Sequence, residues 1–130
     1  MSEQDKINWN NRYITTKVSD MPWYNPYLDE DLEKALDQLK LSAGTFLDLG
    51  TGPATQAKNL ADKGFTVTGT DISAEAIHLA KQTFENIEFI EDDILDTKLT
   101  RKFDYILDRG CFHVLDIDKR DSYCKNVFHL

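Results

Sequence analysis

Basic residues are scarce in this chain. Fifteen Lys and Arg stand against 23 Asp and Glu, a formal net charge of −8 at pH 7. A sequence-independent grip on phosphate backbones needs clustered Lys and Arg, so no nucleic acid is expected as a partner. Cysteine is as sparse. Cys111 and Cys124 make neither a disulfide framework nor a C-x-x-C metal pair, which points to two reduced thiols and a cytoplasmic setting. No apolar run approaches the roughly 20 residues that span a bilayer, and "MSEQDKINWNNRY" carries no apolar signal core. Neither a membrane nor export is therefore expected. Three prolines, six glycines and 41% hydrophobic residues are ordinary for a globular protein. At 130 residues the simplest organisation is one domain, 1–130.

What is present is an alternation of periods. "NWNNRYIT" reads as a short helix with Trp9, Arg12 and Tyr13 on one side, inside an aromatic N-terminal segment, residues 1–27. "LDEDLEKALDQLK" sets Leu32, Ala35, Leu36 and Leu39 at helical spacing, with acids crowding the first turn. "TFLDL" is a short buried strand running into a glycine loop, and "ATQAKNLADKG" is a helix stopped by Gly64. "FTVTGTDI" alternates like a strand and ends on Asp71, after which Ser73 caps a helix that turns Ile77, Ala80 and Phe84 inward. "IEFIE" and "FDYILD" are further strands, and "IDKRDSYCKNVFHL" is a last helical stretch with Tyr123, Val127 and Leu130 in register. Strands alternating with helices predict an α/β fold: a parallel sheet with helices on both faces and right-handed crossovers.

In such a sheet ligands sit beyond the carboxyl ends of the strands. Those ends carry Asp48, Asp71, Asp93 and Asp108, so four carboxylates gather on one rim. In "FLDLGTGPATQ", Gly50, Thr51 and Gly52 form a loop that lets backbone approach a ligand closely, or simply a tight turn. Asp71 lies 21 residues beyond Gly50, where a carboxylate accepts both hydroxyls of a ribose; otherwise it faces solvent before Ser73. Thr55 stands where G-x-G-x-x-G has its third glycine, and Asp48 would repel a pyrophosphate. A carboxylate suits an ammonium or a sulfonium instead. Asp93 is placed to accept from an adenine amino group with Ile94 on the ring, unless "EFIEDDILD" is a solvated face. No histidine lies near that run, so no metal site is expected.

With these residues in view the chain resembles the class I S-adenosylmethionine-dependent methyltransferases. "LDLGTGPATQA", "VTGTDIS", "IEDDILD" and "FDYILDRG" match the first four motifs of that family in order, across residues 45–110. Pro53 and Ala54 depart from it, since many members have a third glycine two residues after Gly52; the departure touches the start of the helix there. The resemblance implies a Rossmann-like sheet of strand order 3-2-1-4, S-adenosylmethionine as cofactor, and cofactor contacts from Asp48, Gly50, Thr51, Gly52, Gln56, Asp71, Ile72, Asp93 and Ile94. It also implies further strands that complete the sheet and shape the acceptor pocket, so the chain corresponds to the N-terminal portion of that fold, an incomplete class I methyltransferase domain.

The flanks "WNNRY", "MPWY", "DRGCFHVL" and "RDSY" are similar to the thiopurine S-methyltransferase-like branch, whose members methylate small thiols, selenium or tellurium compounds, halides or thiocyanate. That likeness implies a cofactor-covering segment, residues 1–27, with Arg12, Tyr13 and Trp23 closing over the ligand, and Asp108 and Arg109 on the pocket floor. Plain packing against the sheet is the other reading of the aromatics, and an internal ion pair the other reading of Asp108 and Arg109. No catalytic residue is assigned; His113 reads as packing or solvated. The expected function is methyl transfer to a small-molecule acceptor of thiol, chalcogen or halide-like type. The alternative is a non-catalytic nucleoside-binding or assembly module that retains the fold. "FDYILD" at the sheet edge predicts a homodimer or higher assembly, through edge pairing or exchange of the last helix.

Overall fold

Strand β1 (Thr45–Leu49) lies at the centre of the computed structural model, which describes residues 1–130. It pairs in parallel with β2 (Thr66–Asp71) on one side and β4 (Tyr105–Asp108) on the other, and β3 (Glu88–Glu91) pairs in parallel with β2. The order β3-β2-β1-β4 is the one that the family resemblance implies. Phe46 stands opposite Val67 and Tyr105, and this register brings the ends of β1, β2 and β4 to one rim.

Residues 46–49 are all buried, as befits an inner strand of a parallel sheet covered on both faces. Phe46, Val67 and Phe89 pack on one face against helices α2 (Glu30–Gln38), α3 (Thr55–Asp62) and α4 (Ala74–Thr83) through Leu36, Ala57, Leu60, Ile77 and Ala80. Leu47 and Leu49 pack on the other with Tyr123, Val127 and Leu130 from α5 (Arg120–Phe128) and its end. Helix α1 (Glu3–Thr15) lies outside α4, where Tyr13, Met21 and Ala76 form a third cluster with Trp9 and Trp23 around it.

Several boundaries differ from the sequence reading for local reasons. Helix α1 starts five residues earlier than "NWNNRYIT", because Ser2 and Asp5 form a reciprocal capping box. Leu39 was expected on the buried face of α2, yet it is 66% exposed. The helix ends at Gln38 and Lys40 turns left-handed at φ +53°, so Leu41 packs on the core in its place. Ala54, expected as the first residue of α3, sits before it at φ +63° and fully buried. It does there what a glycine would do with less strain. The last helical stretch opens with a single 3-10 turn, Ile117–Lys119, before α5. Ser73 caps α4 as expected, accepting from the N–H of Ala76 at 3.1 Å.

Candidate cofactor site

The loop between β1 and α3 is shaped by two left-handed glycines, Gly50 at φ +65° and Gly52 at φ +50°. Its middle is pinned by the Thr51 N–H, which donates to the Thr70 carbonyl of β2 at 2.8 Å. Side chains from distant elements press on both glycines. A methyl group at Gly52 would lie 2.7 Å from the Tyr13 hydroxyl, and one at Gly50 would lie 3.4 Å from Cβ of Cys111. The loop thus runs between α1 and the turn after β4, along the floor of a cavity of about 300 Å³ at the carboxyl ends of the strands.

Two carboxylates stand beside that loop, Asp48 buried and Asp71 half-buried. Asp48, 3% exposed, accepts from the Thr51 hydroxyl at 2.7 Å. Burial pushes its carboxyl up to about 7; Thr51 and the Arg109 charge oppose the rise, while Asp71 and Asp108 add to it. Asp71 accepts from the N–H groups of Gly52 at 3.0 Å and Ser73 at 2.9 Å. Burial raises it to about 6 against these bonds. A carboxylate offers about four lone-pair sites, so Asp71 retains acceptors for hydroxyls entering the cavity.

On the wall beyond β3, Asp93 accepts from the N–H of Leu95 at 2.9 Å and from the N-terminal ammonium at 2.5 Å. Buried Ile94 and half-buried Ile72 stand beside it. Tyr13, Trp23 and Trp9 form the opposite side, the two indoles meeting edge to face at 6.0 Å. Tyr13 is buried, and burial together with Asp71 raises its hydroxyl above the ordinary value, so it remains a neutral phenol. The Cys111 thiol is pushed up to about 12 by burial and by Asp108, Asp71 and Asp93, which keeps it protonated and a poor nucleophile.

Four expected contacts stand differently. Arg12 is exposed, with its guanidinium 5.5 Å from the Trp23 ring, and is not part of the cavity wall. One residue on a helix is a turn of about 100°, so when Tyr13 points inward its neighbour reaches solvent. Asp108 does not line the cavity either. Its oxygens accept from the N–H groups of Gly110, Cys111 and Phe112 and from the Tyr123 hydroxyl, fixing the turn after β4. Nor does it pair with Arg109, which bonds Asp29 and, at 2.8 Å, the Trp23 carbonyl. Gln56 and Arg109 do line the cavity, but the Gln56 amide is engaged at both ends by residues 27 and 29.

Asp29 is the residue that sequence reasoning missed. Its partner lies 80 positions away, and nothing local marks the pairing. Thr70 and Asp92 also line the cavity without having been singled out, and Thr55 and His113, given no ligand role in the sequence, line it too. No group of three or more His, Cys, Asp or Glu is placed to hold a metal ion. In the wall, the N-terminal ammonium is paired with Asp93 and the Arg109 guanidinium with Asp29. The cavity accordingly suits a ligand with hydroxyls, a flat ring and positive charge, and suits a phosphate poorly.

The family model described as "Methyltransferase domain" matches residues 46–130. Among curated relatives, the 2-heptyl-1-hydroxyquinolin-4(1H)-one methyltransferase of Mycobacteroides abscessus is 31% identical over 112 residues, which cover 82% of this chain and 49% of that protein. Among solved structures, one described under the conversion of a disulfide bond into a thioacetal group during echinomycin biosynthesis superposes with a TM-score of 0.83. It is 26% identical over 96% of this chain and 55% of the other. The 1,6-didemethyltoxoflavin-N1-methyltransferase of Burkholderia thailandensis, with bound 1,6-didemethyltoxoflavin and S-adenosylhomocysteine, gives a TM-score of 0.62. It is 22% identical over 77% of this chain and 45% of that one. The chain spans about half the length of the first two curated relatives it matches.

Proposed function

The chain belongs to the methyltransferase domain family, and from that premise we propose that its cavity binds S-adenosylmethionine for methyl transfer to a small-molecule acceptor. One observation carries the reading: Asp71 ends β2 beside the Gly50–Gly52 loop, in a cavity whose one guanidinium, Arg109, is already paired with Asp29. A dinucleotide or a nucleoside triphosphate would bring phosphate charge against Asp48 and Asp71, while the Arg109 guanidinium is held by Asp29. S-adenosylmethionine brings a ribose, an adenine and a sulfonium, and no phosphate.

The residues fit that group in named places. Asp71 would take the ribose hydroxyls, and Asp93, Ile94 and Ile72 would hold the adenine. Gly50 and Gly52 would let backbone come close to the ligand, while Asp48 supplies negative charge under its cationic end. Trp23 and Tyr13 would close the opposite side. When bound, the cofactor supplies a methyl group already activated on sulfur. The chain's own contribution is to orient the partners and exclude water, and positioning alone can be worth roughly 7–11 kcal/mol. A soft nucleophile needs at most deprotonation, and His113 is among the residues that line the cavity.

For the acceptor we favour a small neutral or soft nucleophile. The flanking stretches "WNNRY", "MPWY" and "DRGCFHVL" support the thiopurine S-methyltransferase-like branch. Two similar proteins are named for small heterocyclic acceptors, a hydroxyquinolone and a toxoflavin precursor. Titration calorimetry against S-adenosylhomocysteine, NAD and ATP tests the cofactor. Tightest binding to S-adenosylhomocysteine is expected, and tighter binding to NAD would defeat the reading. Asp71→Ala should weaken S-adenosylhomocysteine by about 1–3 kcal/mol through the loss of charged hydrogen bonds. Labelled S-adenosylmethionine with a panel of thiols, hydroxylated heterocycles and halides then tests transfer. Binding without turnover on any acceptor would favour a non-catalytic module.

A further inference from the structure

We infer that Arg109 and Gln56 act as positioning residues, clasping residues 23–29 as a strap that seats Trp23 in the wall of the cofactor cavity, through a shared anchor, Asp29. The inference rests on the cofactor reading above and goes beyond it, because neither side chain is then a direct ligand.

Asp29 is held from several directions. Its N–H donates to Oε1 of Gln56 at 2.8 Å, one carboxylate oxygen accepts from Nε of Arg109, and the other accepts from Nδ2 of Asn25 at 2.8 Å. Arg109 reaches further, donating through Nη1 to the Trp23 carbonyl at 2.8 Å. Gln56 does the same with Nε2 to the Tyr27 carbonyl at 2.8 Å, and Asn59 adds a bond to the Pro26 carbonyl at 3.0 Å. The strap is therefore tied along its length to two elements that frame the cavity, the start of α3 and the turn after β4.

Asp29 also forgoes its local option. It occupies the position before α2 where an aspartate ordinarily accepts from the first turn of its own helix, yet its side chain makes no such bond. Gln56 is 4% exposed, and a buried amide with both ends satisfied by strap backbone has little reason to leave it. The strap carries Trp23, whose ring lines the cavity, meets Trp9 edge to face, and is covered outside by the Arg12 guanidinium. Releasing Asp29 frees the segment that holds this ring in place.

The competing assignment is direct: Arg109 lines the cavity and could itself meet the methionyl carboxylate of the cofactor. A double-mutant cycle on the full chain separates the two. Dissociation of S-adenosylhomocysteine is followed by stopped-flow fluorescence of Trp9 and Trp23. Arg109→Ala and Asp29→Asn should each speed dissociation about tenfold, the scale of losing a partly buried charged hydrogen bond. The double variant should be no faster than either single one. Gln56→Ala should act in the same direction. The effect should persist with methylthioadenosine, which lacks the amino-acid portion.

A fast Arg109→Ala beside an unchanged Asp29→Asn would overturn the strap role, as would an effect that vanishes with methylthioadenosine. Unchanged rates in every variant would overturn it while leaving the cofactor reading intact. Failure of the unmodified chain to bind S-adenosylhomocysteine would overturn both. A purely structural role would lower the melting temperature of the ligand-free protein without a selective change in dissociation rate. Should Arg109→Ala fail to fold, Asp29→Asn and the charge-conserving Arg109→Lys carry the same comparison.

Discussion

Tyr13 and Gly52 compete for the same space. With the phenol oxygen 2.7 Å from where a Cβ would sit, and φ at +50°, Gly52→Ala meets both a clash and a strained backbone. Removing the hydroxyl relieves only the clash. Gly52→Ala should therefore abolish detectable cofactor binding, and Tyr13→Phe in the same chain should restore part of it, as calorimetry on the single and double variants would show. The remaining deficit should reflect the left-handed strain of about 1–2 kcal/mol. Asp48 makes a different prediction. Its carboxyl is held near 7 and that of Asp71 near 6, both above the ordinary 3.8. Between these values the folded chain binds more protons than the unfolded one. The stabilisation is complete below about pH 4 and is lost as pH rises through 6 and 7. Urea midpoints measured from pH 4.5 to 7.5 should fall with pH, and Asp48→Asn should flatten the slope.

Between elements, one amide links α1 to the start of α4 beside their apolar contacts. Oδ1 of Asn10 accepts from the Ser73 hydroxyl at 2.8 Å and from the Glu75 N–H at 3.2 Å, so α1 helps to cap α4. Ser73 is fully buried, and its hydroxyl has no water to turn to when that acceptor is removed. Asn10→Ala should cost about 1–3 kcal/mol, the penalty for a buried donor left unpaired, as thermal unfolding would measure. Because α1 also carries Trp9 and Tyr13, the same variant should weaken cofactor binding, whereas Ile14→Ala on the exposed side of α1 should change neither.

For the molecule as a whole, the sheet edge at β4 matters most. β4 has β1 on one side and no strand on the other, while Tyr105 and Leu107 pack toward one core and Ile106 toward the other. An edge with unpaired N–H and C=O groups templates another strand. We expect self-association through it, seen as a mass above 15.0 kDa that grows with concentration in light scattering. A stable monomer at high concentration would mean that the edge is protected another way. No helix is long and apolar enough to cross a membrane.

The sequence by itself determined the alternation of strands and helices, the placement of the glycine loop and Asp71 at the ends of β1 and β2, and the Ser73 cap. Each follows from a local signal, whether side-chain period, turn chemistry or a capping oxygen, that needs only a few neighbouring residues to act. Tertiary structure decided which polar groups meet. Arg109 found Asp29 rather than Asp108, because three N–H groups in the turn after β4 and the Tyr123 hydroxyl had already claimed Asp108. Leu39 went to solvent and Leu41 to the core because the chain turned left-handed at Lys40. Arg12 was left outside because its neighbour Tyr13 was drawn in. A carboxylate or guanidinium bonds whatever the assembled chain brings within about 3 Å, and that proximity is set by segments far apart in sequence.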